Sequence, residues 1–313
     1  MPVVDILLAT YNGAAFLDEL LSSITAQGFS DWRILVSDDG STDGTLEKIV
    51  EWQNTSDKIL LVKHGAASGS AKANFMSLLQ FSDAEYVAFC DQDDVWHPDK
   101  LSKCHDAILQ LEEEGGRAKP CLVYSDARVV DSNLNPISDS FIRYSGLDSH
   151  GTRLNQLAVQ NMAPGCTMLV NRPLVNLMCR KINYSNVYMH DWWAILIAST
   201  MGLVRYVDKP LIDYRQHESN SVGATSYSLS LIPFWMKRLD EMVDYFEALM
   251  RQAGEFATCY SNELSNEQVA LLTSFSSLSR MSIIGRFRLV SKYGLWKNRF
   301  MLCIGEAFCL FRI

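Results

Sequence analysis

Residues 86–96 read Tyr86-Val87-Ala88-Phe89-Cys90-Asp91-Gln92-Asp93-Asp94-Val95-Trp96. An unbroken apolar run here passes directly into a cluster of three carboxylates. Such a run marks a strand covered on both faces, because a half-exposed strand would alternate apolar and polar residues. The same arrangement occurs twice upstream. Val3–Ala9 runs into Thr10-Tyr11-Asn12-Gly13, and Arg33–Ser37 runs into Asp38-Asp39-Gly40-Ser41-Thr42-Asp43-Gly44. Singly, each polar cluster reads as a turn with a helix cap, since Asn, Asp, Ser and Gly serve both purposes. On successive strands of one sheet, the clusters gather at the carboxyl ends, where open α/β sheets bind their ligands.

The intervening segments carry helical periodicity. Phe16, Leu17, Leu20, Leu21 and Ile24 share one face, as do Leu46, Ile49 and Val50. A strand is expected at Ile59–Val62 and a helix around Asn74–Gln80. A further helix starts at Pro98, runs through Leu101, Ile108 and Leu111, and stops at Gly115-Gly116. This βαβα order predicts an α/β fold with a mainly parallel sheet between helices. From about residue 121 to 215 short strands are expected at Leu122–Ser125, Thr167–Val170 and Leu203–Val207, mixed with helices. After Gly223 the pattern is helical, through Leu229–Met250 and Val269–Leu278. The expected organisation is a catalytic domain over residues 1–225 and a helical C-terminal extension over 226–313.

The chain has 313 residues, 48% of them hydrophobic and 20% charged, with a formal charge of −8. That apolar content excludes global disorder, and the acidic balance excludes a sequence-independent nucleic-acid binder, which needs a basic footprint. The eight cysteines include no CxxC pair and no tight Cys/His cluster, so buried free thiols are expected rather than a zinc site or a disulfide framework. The N-terminus lacks the basic and apolar regions of a signal peptide, and no uncharged apolar run is long enough to span a bilayer. A cytosolic location is therefore expected.

Charge is unevenly spread. Arg280–Ile313 holds seven basic residues and one acid, a net of +6, which leaves −14 for the rest. Basic residues there alternate with Ile283, Ile284, Phe287, Trp296 and Phe300. Two readings stand: a segment lying on an anionic membrane at the inner face of the cell, or a helix packed on the catalytic domain.

Chemistry concentrates at Asp91–Asp94. Three carboxylates in four residues repel one another unless solvated or bound to a cation. Oxygen ligands on a short turn suit Mg²⁺ or Mn²⁺, held by one or two carboxylates together with substrate phosphates. No P-loop and no dinucleotide-binding glycine motif is present, so a metal-bound diphosphate points to a nucleotide-sugar.

These motifs resemble, in order and spacing, the signatures of the family 2 inverting glycosyltransferases of GT-A fold, across about residues 3–222. The Asp-Gln-Asp-Asp-Val-Trp form, with the later Tyr214-Arg215-Gln216-His217, is most similar to the bacterial rhamnosyltransferase branch that builds surface polysaccharides. The resemblance implies that Thr10, Tyr11 and Asn12 line the base and ribose. It implies that Asp39, or its neighbour Asp38, accepts the N3–H of uracil or thymine. Lys72 and Asn74 follow the third strand, where the family often contacts the nucleotide. Asp91 would contact the ribose side, and Asp93 would ligate the divalent ion.

His190-Asp191-Trp192-Trp193 matches the position of the family's catalytic base. Asp191 would deprotonate the acceptor hydroxyl, while a plain reading makes it a helix N-cap. His190 departs from the acidic residue often found there. His217 would complete the metal site, and Arg215 would neutralise leaving-group phosphate. Trp96, Trp192 and Trp193 suit either sugar stacking or core packing. The expected reaction moves a sugar, rhamnose from dTDP-rhamnose or a sugar from UDP, to a lipid-linked saccharide. A sugar nucleotidyltransferase and a non-catalytic saccharide-binding protein are the competing classes. The first would show a Gly-rich basic loop after strand one, and the second would lack Asp91, Asp93 or Asp191.

Overall fold

The computed structural model describes residues 2–65, 68–217, 239–298 and 300–313. The stretch Glu218–Gly223, the division expected at 225/226, the helix start expected at Leu229, and Arg299 lie outside the described residues.

Each of the three apolar runs is a strand. They are β1 (Val4–Thr10), β2 (Trp32–Asp38) and, with β3 (Ile59–Lys63) between, β4 (Tyr86–Cys90). β1 lies parallel to both β2 and β4, with Leu7 opposite Leu35 on one side and Phe89 on the other. Parallel pairing places the three polar clusters side by side at one sheet edge. Helices α1 (Leu17–Thr25), α2 (Thr45–Thr55) and α3 (Ala71–Leu78) make the crossovers, and α4 (Lys100–Gly115) follows β4. The expected apolar face of α1 is buried at Leu17, Leu20, Leu21 and Ile24, whereas Phe16 sits just ahead of the helix.

Beyond α4 the sheet becomes mixed. Among the described residues nine strands run in the order β3-β2-β1-β4-β8 (Met168–Asn171)-β6 (Cys121–Val130)-β9 (Leu203–Arg215)-β5 (Val95–Trp96), with β7 (Pro136–Ser138) on β6. β8 is antiparallel to both β4 and β6, so it runs against two neighbours that share one direction. α5 (Phe141–Ser145) and α6 (Leu154–Leu157) lie between β7 and β8, and α7 (Arg172–Met178) follows β8.

The strand expected at Leu203–Val207 continues as β9 (Leu203–Arg215). Asp208 and Lys209 break the apolar pattern there because they sit at an exposed irregularity, where the register with β6 shifts. Leu211–Arg215 is buried again and pairs with the two-residue strand β5 (Val95–Trp96). The Tyr214-Arg215 pair therefore ends a strand that was not expected to run beyond Val207.

α8 (His190–Met201) is buried from His190 to Ala198 on every side, which places its two polar opening residues in an enclosed setting. The C-terminal helices are α9 (Leu239–Cys259), α10 (Asn266–Ser276), α11 (Ile283–Tyr293) and α12 (Phe300–Arg312). Phe246, Phe256, Leu278, Val290 and Leu310 join the same apolar cluster as Leu7, Phe89 and Trp193 of the sheet layer. The tail is thus packed on the body, as the second reading expected, while Ile284 and Phe311 stay exposed on its outer side. Buried Arg286 holds it closed, donating from Nη1 to Leu310 O (3.0 Å), from Nε to Met281 O (3.1 Å) and from Nη2 to Ser279 O (3.1 Å).

All eight cysteines are free. Cys90, Cys104, Cys121, Cys166 and Cys309 are buried, as expected, while Cys179 is exposed just past α7. Trp96 and Trp193 are core residues.

Candidate active site

The β1–α1 turn is stitched to its neighbours by its own polar atoms. Asn12 adopts a left-handed backbone with φ 50, a conformation Asn tolerates better than most residues. Its side-chain Oδ1 accepts Thr42 N–H (2.9 Å), and its N–H donates to Ser41 Oγ (2.8 Å). Tyr11 exchanges two hydrogen bonds with the Gln92 amide: its N–H donates to Oε1 (2.8 Å) and its carbonyl accepts from Nε2 (2.9 Å). Gly13 permits this, since a Cβ there would come within 2.3 Å of Gln92 Oε1. The β1 and β4 loops are therefore coupled through Gln92, which the sequence left without a role.

A cavity of about 1120 Å³ opens at this edge. Thr10, Tyr11, Asn12, Asp39, Asn74, Asp91, Asp93, Asp191 and His217 all line it. Three expected site residues do not. Asp38 is buried under the loop, accepting from Thr10 Oγ1 (2.9 Å), Ser41 Oγ (2.5 Å), Ser41 N (2.9 Å) and Gly40 N (3.2 Å). It holds the turn that presents Asp39. Lys72 donates to Val187 O, and burial lowers its pKa. Arg215 is also a correction. Only 2% exposed, it donates from Nε to Asp93 O (2.7 Å) and from Nη1 to Ser132 O (2.6 Å), and it pairs with Glu19. Its guanidinium also lies 4.7 Å from the Phe16 ring. Arg215 braces the Asp93 backbone from behind.

Asp93 and His217 meet directly, Oδ2 to Nε2, at 2.7 Å, and the His217 ring stacks on Phe16 at 4.7 Å. Asp91 has its carboxyl raised to about 7, by burial first and then by the charges of Asp93 and Asp191. Asp94, buried behind it, is raised well above the usual range by burial first and then by the charges of Asp93 and Asp91. Ligand-type atoms of Asp91, Asp94 and Cys166 lie within 4.8 Å of one another. Burial pushes the Cys166 thiol well up, so it stays protonated and is a poor ligand for a hard cation. Asp93 and His217, with Asp91 beside them, are the donors that suit Mg²⁺ or Mn²⁺. The mutual repulsion that raises Asp91 is a charge excess that a cation would relieve.

Asp191 lies in the first turn of α8, and the N-cap position belongs to Met189. Its Oδ2 accepts Gly165 N–H (3.1 Å) and its Oδ1 accepts Trp192 N–H (2.6 Å). Burial raises its carboxyl to about 6, against partial relief from these N–H groups. An acid poised there is ionised at neutral pH yet basic enough to take a proton. His190 stacks on Phe75 at 4.1 Å and meets Phe89 edge-on at 4.9 Å. Burial lowers it to about 3, so the ring is neutral near pH 7. Gly165 lets both residues approach, because a Cβ there would lie 2.9 Å from His190 Nε2 and 3.3 Å from Asp191 Cβ.

Glycosyl transferase family 2 matches residues 5–120. The dTDP-rhamnosyl transferase RfbG of Shigella flexneri is 32% identical over 227 residues, covering 69% of this chain and 74% of that protein. The UDP-Glc:alpha-D-GlcNAc-diphosphoundecaprenol beta-1,3-glucosyltransferase WfgD of Escherichia coli is 25% identical, covering 56% of this chain and 62% of its own length. Among solved structures, S. aureus TarS 1-349 in complex with UDP-GlcNAc superposes with a TM-score of 0.57 at 15% identity, over 98% of this chain and 88% of that one. The mixed sheet flanked by helices is the GT-A architecture that the sequence motifs implied.

Proposed function

The chain belongs to glycosyl transferase family 2 and is a glycosyltransferase, and from that premise we propose a specific reaction. It is the inverting transfer of rhamnose from dTDP-rhamnose to a lipid-linked saccharide in bacterial surface-polysaccharide synthesis. One observation carries the proposal: residues from the ends of β1, β2, β4 and β9 and from the start of α8 line a single cavity. Asp91 and Asp191 within it are close enough for the charge of Asp191 to raise Asp91. The rhamnose assignment rests on the S. flexneri relative, named for dTDP-rhamnosyl transfer, and the lipid-linked acceptor on the E. coli relative's name.

In this reading Asp39 accepts the N3–H of thymine, and Thr10, Tyr11 and Asn12 flank the nucleoside. Asp93 and His217 hold Mg²⁺ or Mn²⁺, which when bound neutralises the leaving diphosphate. Asp191 takes the proton of the acceptor hydroxyl. The acceptor oxygen attacks the anomeric carbon, the bond from that carbon to the diphosphate oxygen breaks, and dTDP leaves with its electron pair. Attack opposite the leaving group inverts the anomeric configuration. Arg215 keeps Asp93 in place and does not touch the phosphates.

The same proposal sets the enzyme on the inner face of the cell membrane. Among the described residues, no helix is long and apolar enough to cross a membrane. Ile284 (66% exposed) and Phe311 (57% exposed) stand out from α11 and α12, with Ile283 and Phe308 also exposed. Arg288 and Lys292 on α11 are exposed as well, which suits anionic lipid.

The test is incubation of purified protein with Mg²⁺ or Mn²⁺ and dTDP-, UDP- and GDP-sugars, with and without GlcNAc-diphospho-lipid. Acceptor-dependent release of dTDP from dTDP-rhamnose is expected. Release from a different donor alone would overturn the rhamnose assignment, and full activity in EDTA would overturn the metal assignment.

A further inference from the structure

The cavity is larger than a single small-molecule ligand needs, since such sites run to roughly 1,000 Å³. The residues placed above on nucleotide, metal and proton transfer account for one part of its wall. Another part comes from α9, the α11–α12 connection and α12, which contribute Tyr245, Lys297 and Glu306.

Glu306 is 3% exposed. Its Oε2 accepts Lys297 N–H (3.2 Å), and its Oε1 has no hydrogen-bond partner among the described residues. A buried carboxyl oxygen without a partner is costly to maintain, and native interiors seldom keep one without a use. Three aromatic side chains line the same cavity. Tyr188 meets Tyr245 edge-on at 5.1 Å and Trp192 edge-on at 5.6 Å. Lys297 Nζ lies 4.6 Å from the Tyr245 ring, and the backbone of the same Lys297 is the group that donates to Glu306. Flat apolar faces next to a carboxylate and an ammonium form the mixed surface that a sugar ring offers in complement: C–H faces for the rings and hydroxyls for the charged groups.

We propose that Glu306, with Tyr188, Trp192, Tyr245 and Lys297, forms the binding subsite for the acceptor sugar, and that Glu306 Oε1 accepts one of its hydroxyl hydrogens. The inference rests on the glycosyltransferase reading of the same cavity and assigns its second substrate. Trp192 directly follows the base Asp191, so a sugar against this wall is held beside the group that deprotonates it. The basic-apolar tail thereby becomes part of substrate recognition, because α12 carries Glu306 into the cavity.

The probes are methyl α-N-acetylglucosaminide and methyl α-rhamnoside, observed by saturation-transfer NMR on the full chain with and without UDP and Mg²⁺. Wild-type protein is expected to bind at least one glycoside. Glu306→Leu should abolish the signal, and Glu306→Gln should raise the glycoside Kd at least tenfold. Both variants should keep the wild-type melting temperature within a few degrees and bind UDP within twofold of wild type. Lack of binding of either glycoside to wild type, or undiminished binding to Glu306→Leu, overturns the proposal. Failure of wild type to bind any nucleotide counts against the nucleotide-sugar reading instead, because the glycoside measurement without UDP decides the subsite independently.

Discussion

Replacing Asp191 by Asn should change how stability depends on pH, and the size of the change follows from the carboxyl's surroundings. In the folded chain burial holds this group at about 6, against an ordinary value of 3.8. The folded state therefore binds the proton more tightly than the unfolded state. Folding is favoured by low pH, and stability falls as pH rises from about 4 to about 6, then stays level. Two pKa units at 1.36 kcal/mol each make this loss about 3 kcal/mol. An asparagine cannot ionise and lacks the loss. Asp91 adds to the difference in the same direction, since the Asp191 charge is one of the causes that raise it. The stability of the variant relative to wild type should then grow by about 3 kcal/mol between pH 4 and pH 7.5, or about 5 °C in melting temperature for a chain of this size. Thermal unfolding followed at half-unit pH steps in EDTA measures it, with divalent ions excluded so that none offsets the buried charge. Parallel curves for the two proteins would refute the claim that Asp191 is a buried, proton-hungry carboxylate.

Three further outcomes are expected. Transfer needs Asp191 unprotonated, so kcat/KM at saturating Mg²⁺ should fall on the acid side with an apparent pKa near 6; a rate flat down to pH 4.5 would contradict this. Gly165→Ala should press on His190 and Asp191 and displace them, since the new Cβ would lie 2.9 Å from His190 Nε2 and 3.3 Å from Asp191 Cβ, and should lower kcat about tenfold or more with donor KM unchanged. Ile284→Glu combined with Phe311→Glu should abolish co-sedimentation with anionic liposomes and leave soluble-acceptor transfer intact; retained binding would refute the membrane role of α11 and α12.

Much of the site was legible because its residues sit at predictable places. Parallel pairing of β1, β2 and β4 brings three strand ends together, so polar clusters far apart in the chain become one edge. What sequence reading missed has specific physical causes. Asp38 and Asp39 look alike in a list of letters, but strand alternation turns one beneath the loop and the other onto the cavity. Arg215 reads as neutralising phosphate because a guanidinium suits that role and the motif matches the family's, with no strand expected beyond Val207 to bury it. With β9 running to Arg215, the guanidinium is locked among Asp93 O, Ser132 O and Glu19. Gln92 gave no signal beyond its place between Asp91 and Asp93. Glu306 was counted as one acid in a basic tail, and only the docking of α12 reveals where its carboxyl sits.

The central claim is that Asp191 takes the acceptor's proton in a cavity whose remaining carboxylates hold the donor. Its most direct test compares wild type with Asp191→Asn in acceptor-dependent nucleotide release, alongside calorimetric titration of both proteins with dTDP and Mg²⁺. The expected result is a loss of transfer of about 10²–10⁴-fold with nucleotide affinity kept within twofold. Transfer within threefold of wild type would contradict the assignment of Asp191 as the base, and a matching fall in nucleotide affinity would show that Asp191 serves donor binding instead.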